Sequence, residues 1–76
     1  MNIDVSNLGD KITGDSLSAI FATYGNVSSA DILKDTPGGA ALIVMPDEKQ
    51  AAKAIARLHG SIIDGKALVV KRSLLK

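Results

Sequence analysis

The sequence predicts an α+β fold in which two helices pack on one face of a four-stranded antiparallel sheet. Three observations predict it. An apolar run, Gly38-Gly39-Ala40-Ala41-Leu42-Ile43-Val44-Met45, lies between a Pro37-Gly38 turn and a Pro46-Asp47 helix start, as a buried or half-buried strand does. Apolar residues recur at helical spacing on either side of it. The elements follow the order β-α-β-β-α-β, in which a crossover helix connects the parallel strands of each half.

The first strand is read at residues 2–8, where Ile3 and Val5 alternate with Asp4 and Ser6, the period of a half-buried strand. Leu8-Gly9-Asp10-Lys11 turns the chain. Thr13 is placed to cap the first helix, with Asp15 in its first turn, where the helix dipole favours an acid. Leu17, Ile20, Phe21 and Tyr24 form its apolar stripe, and Gly25 is expected to end it in the left-handed conformation. A second strand covers residues 27–33, with Ala30 and Ile32 on one side and Asp31 and Leu33 on the other. After the apolar strand, Asp47 caps a second helix, and Gln50 is spaced to complete a capping box. Ala51, Ala54, Ile55 and Leu58 make its stripe, and Gly60 stops it. Ile62-Ile63 and Ala67-Leu68-Val69-Val70 flank Asp64-Gly65, a tight-hairpin signal. The result is a small extra hairpin strand before the last one.

Length and composition exclude several functions. Seventy-six residues make one domain, 1–76, with a stability of roughly 3–5 kcal/mol. Without cysteine there is neither a disulfide nor a thiolate metal site, and His59 is the single histidine, so no metal and no cofactor is expected. No nucleophile–base pair, carboxylate pair or phosphate loop stands out, which argues against an enzyme. No run reaches the ~20 apolar residues of a membrane span, and no secretory signal is visible. The cysteine-free composition is compatible with a reducing cytoplasm, or the nucleus if the source is eukaryotic. A net charge of +1 is too small to announce nucleic-acid binding on electrostatics alone.

Read end to end, the chain resembles an RNA recognition motif domain. Ile3-Asp4-Val5-Ser6-Asn7-Leu8 is similar to the family's shorter strand motif. Residues 17–27 resemble its first helix and turn, and residues 38–45 fall where its octapeptide sits. Residues 51–60, followed by Asp64-Gly65-Lys66-Ala67-Leu68-Val69-Val70, resemble its second helix and final strand. The resemblance implies a ferredoxin-like sandwich with an open sheet face that binds single-stranded RNA. It also implies a departure. The family stacks bases on aromatic rings at three outward positions. Here the two octapeptide ring positions are Ala40 and Leu42, the strand-one ring position is Asp4, and the outward first octapeptide position, basic in the family, is Gly38. Phe21 and Tyr24 cannot substitute, because both lie on the core stripe of the first helix.

The open face is expected to carry Asp4, Ser6, Asp31, Leu33, Ala40, Leu42, Val44, Val69 and Lys71, with Lys34 and Arg72 flanking it. Two uses remain open. One is weak, non-standard RNA binding through Lys71, Arg72 and backbone contacts. The other is a protein partner or homodimer on the aliphatic centre, since exposed apolar patches mark contact surfaces. The Leu74-Leu75 tail is an alternative cover. Lys49, Lys53 and Arg57 form a basic ridge on the second helix, read first as a solvated face. His59 is read as a cation at the helix end, suited to the dipole.

Overall fold

Alternation of apolar and polar side chains produces the expected strands, and the capping residues set the helix starts. The computed structural model describes residues 1–9, 11–33 and 36–74. Its elements are β1 (Asn2–Ser6), α1 (Gly14–Ala22), β2 (Ser29–Leu33), β3 (Ala40–Val44), α2 (Glu48–Leu58), β4 (Ile62–Ile63), β5 (Lys66–Ala67) and β6 (Val69–Arg72). The main sheet has the order β2-β3-β1-β6 with antiparallel neighbours, and β4 pairs with β5 in a separate hairpin. Thus the apolar strand β3 is central, as expected, and shares the centre with β1.

The helices cover one face. Ile3, Val5, Ala41, Ile43, Met45 and Val70 project from the sheet into a core shared with Leu17 and Phe21 of α1 and Ala51, Ala54 and Leu58 of α2. Tyr24 is half-buried against that core. The Thr13 side chain accepts from the Ser16 N–H at 3.2 Å. Asp47 Oδ1 accepts from the Lys49 and Gln50 N–H groups at 2.9 and 3.1 Å. Each cap satisfies donors that a helix N-terminus leaves unpaired.

Local expectation failed at four places, each through a contact with another segment of the chain. Gly25 is not among the positive-φ glycines; a Cβ there would overlap the Gln50 side chain, so glycine is needed for close approach. Gln50 does not complete a capping box, because its Oε1 accepts from the Asn26 N–H at 3.0 Å. His59 has a partner that the dipole reading did not include: its Nδ1 accepts from the Val70 N–H at 3.1 Å. The last strand starts at Val69 rather than Ala67, because Leu68 is bonded elsewhere: its N–H donates to the Ser61 carbonyl at 2.9 Å, and its carbonyl accepts from the Gly60 N–H at 2.8 Å. Together these bonds occupy the chain just before β6 and the outward Val70 N–H at its start, on an edge that otherwise invites pairing with another chain.

At the other end of the strands, the β1–α1 and β2–β3 connections touch backbone to backbone. The Gly9 N–H donates to the Gly38 carbonyl at 2.9 Å. Gly39 has φ +85°, and a Cβ on it would stand 2.6 Å from the Gly9 carbonyl oxygen; Gly38 has φ +81° with open space around it. Gly39→Ala is therefore expected to lower stability by about 1–3 kcal/mol. Gly38→Ala, which meets only the backbone preference, should cost less. Urea midpoints at equal slope provide the comparison.

Candidate nucleic-acid interface

The face of the sheet away from the helices is built by the alternate residues of four strands. Pairing register sorts them into transverse rows. Leu33 pairs with Ala40, Ala40 with Ser6, and Ser6 with Val69. One pleat further on, Asp31 pairs with Leu42, Leu42 with Asp4, and Asp4 with Lys71. Ser29, Val44 and Asn2 extend the face in a third row. Every residue expected on the open face from alternation stands there.

The two main rows differ in chemistry. Leu33 and Val69, 46 % and 38 % exposed, stand at the two ends of a row whose middle residues, Ala40 and Ser6, are small. Ala40, expected to be accessible, is only 9 % exposed, since a methyl group is shorter than its neighbours. Leu42 and Val44 are half-buried, which leaves less aliphatic surface at the centre than expected. The second row is charged around Leu42. Asp4 is half-buried, while Asp31 and Lys71 are exposed. Among the described residues no ion pair joins Asp4 to Lys71, and Asp4 accepts no side-chain hydrogen bond.

Other expected site residues fall elsewhere. Arg72 pairs with Ile3 and alternates with Lys71, which puts it on the helix side of the edge strand and not beside Lys71 on the open face. Gly38 lies in the turn before β3 and not on the sheet, so the first of the outward octapeptide positions is lost from the face altogether. Lys34 lies outside the described residues. Leu74 is 97 % exposed and covers nothing; Leu75 is also outside the described residues. Lys49, Lys53 and Arg57 are exposed on α2, which packs on the opposite face of the sheet.

One cationic element escaped sequence reasoning. Asn7 Nδ2 donates to the Ala67 carbonyl at 2.9 Å and ties the β4–β5 hairpin to the end of β1. Lys66 of that hairpin lays its stem over Gly9, where a Cβ would approach its Cδ and Cε at 3.2 Å. A groove between these loops is lined by Leu8, Gly9, Lys11, Asp64 and Lys66. No local signal announces it, because Asn7 and Lys66 come from opposite ends of the chain.

Comparison with known proteins supports this arrangement. The family model described as RNA recognition motif matches residues 3–69. "Putative RNA-binding protein RbpA" of Nostoc sp. (strain PCC 7120) is 36 % identical over 96 % of this chain and 76 % of its own length. Polyadenylate-binding protein 4 of Arabidopsis thaliana is 27 % identical over 92 % of this chain, which spans only 11 % of that protein. Among solved structures, RNA binding protein PG1 superposes with a TM-score of 0.90 at 32 % identity, covering 100 % of this chain and 96 % of the other. A Sex-lethal protein/RNA complex matches with a TM-score of 0.83 at 32 % identity, over 95 % of this chain and 47 % of that one. With two helices on one side of a β2-β3-β1-β6 sheet and an open face on the other, matched over nearly its whole length, this chain belongs to the RNA recognition motif family.

Proposed function

We propose that the chain is a module that binds single-stranded RNA across its open sheet face, weakly and chiefly through the phosphate backbone. The observation that carries this reading is the register of the charged row. It places Lys71 on the open face, level with Asp4 and Leu42, where the family's rings would stand. A phosphate can meet the ammonium there, but no ring is available for a base. The RNA-binding name of the Nostoc relative and the RNA complex of the Sex-lethal protein support the ligand class. Each missing stack forgoes roughly 1–3 kcal/mol, so affinity should be low and strongly salt-dependent.

A protein partner or a homodimer on the same face is the competing reading. The register favours it less. The exposed apolar groups are the two ends of one row, and the next row would bring Asp31, Asp4 and Lys71 out of water with them, at a desolvation cost.

Fluorescence anisotropy with labelled single-stranded RNA over a salt series tests the proposal. Lys71→Ala should weaken binding by a similar factor for all sequences and reduce the salt slope by about 0.7. Arg72→Ala, on the other side of the strand, should do less. Salt-insensitive binding, or none at low salt, would overturn the reading. A dilution series by analytical ultracentrifugation reports on self-association.

A further inference from the structure

We infer that Asp4 makes the face selective for guanine, reading its Watson–Crick edge with the carboxylate. This rests on the proposed RNA-binding reading and assigns the base that the face prefers.

Geometry provides a place for one base. The row from Leu33 to Val69 crosses four strands, three strand-to-strand steps of backbone or roughly 14 Å, and its two middle side chains are short enough to leave room for a purine lying flat. Those two are Ala40 and Ser6. A base resting there has the second row one pleat away, roughly 7 Å along the strands. The residue of that row next to Ser6 on β1 is Asp4, at the middle of the sheet. Asp4 is half-buried, and its carboxylate accepts no hydrogen bond from another side chain among the described residues.

Chemistry selects the base. An ionised carboxylate only accepts, and its two oxygens lie side by side. Guanine alone presents two adjacent donors on its pairing edge, N1–H and the N2 amino group. Adenine and cytosine each offer one amino group beside a ring-nitrogen acceptor, and uracil offers one N–H between two carbonyls. In those three bases an acceptor lone pair would face the carboxylate. A charged hydrogen bond made in pairs is among the stronger polar contacts. The negative charge that weakens phosphate binding therefore acts as a filter. Phosphate contacts through Lys71 position the strand, and the base contact specifies it.

The test uses short uridine oligomers carrying one central guanosine, adenosine, cytidine or uridine, titrated into the 76-residue chain at fixed low salt. The guanosine oligomer should bind about tenfold tighter than the other three. Asp4→Asn keeps the shape but replaces one acceptor with a donor. It should erase that advantage while the all-uridine oligomer binds no more weakly than before. Asp31→Asn removes the same charge from the other side of Leu42 and should leave the advantage in place. A heteronuclear NMR spectrum of each variant confirms the fold. Equal affinity for all four oligomers would overturn the inference, as would an Asp4→Asn variant that tightens all four equally, or equal losses from Asp31→Asn; each leaves RNA binding itself intact. Absence of binding to any oligomer would overturn this inference and the proposed function together.

Discussion

Phe21→Ala is expected to abolish the cooperative thermal transition. Phe21 is fully buried and is the largest side chain in the core. It extends from α1 toward the apolar side of the sheet, among Ile3, Val5, Ile43 and Met45. Truncating a core phenylalanine costs about 3–5 kcal/mol, from lost transfer energy and the cavity left behind. A chain of 76 residues without a disulfide has roughly that much stability in total. Circular dichroism should show a broad, sloping melt in place of a sigmoid. A cooperative melt within a few degrees of the parent would show that the helix–sheet interface does not depend on this ring.

Asp4→Phe should produce the largest gain in function. The substitution puts a ring at the centre of the open face, between Leu42 and Lys71, and removes a charge that repels phosphate. One base–aromatic stack contributes roughly 1–3 kcal/mol, so affinity for single-stranded RNA should rise about 5- to 150-fold. Comparison with Asp4→Asn at the same salt separates the two causes, because both lose the charge and only one gains the ring. The guanosine preference should vanish in both. If Asp4→Phe binds no better than Asp4→Asn, a base cannot reach the middle of the sheet, and the face is used by something other than stacked RNA.

Most of the fold was legible from local pattern. Alternation at Ile3-Asp4-Val5-Ser6 and the stripes Leu17–Phe21 and Ala51–Leu58 state which side of each element is apolar. Thr13 and Asp47 mark the helix starts with their own side chains. Such signals depend on residues a few positions apart, which is why they survive without knowledge of the rest of the chain. The content of the open face was legible for the same reason: once Ile43 and Met45 are core, Leu42 must face away.

The misread positions share a cause. Gly25 carries glycine because Gln50 arrives against it. His59 serves as an acceptor because the outer edge of β6 begins beside it. Arg72 fell on the helix side because it alternates with Lys71 along β6 and pairs with the core residue Ile3. The cationic groove at Lys66 exists only after the hairpin docks on Asn7.

By itself, the sequence determined the element order, the apolar side of each element and the absence of rings from the positions where the family carries them. Only the tertiary structure decided that Asp31, Leu42, Asp4 and Lys71 stand in one row beside a second row that runs from Leu33 to Val69. Periodicity is a property of neighbouring residues. Strand order and register are set by contacts between segments far apart in the chain, and the chemistry of the face lies in that pairing.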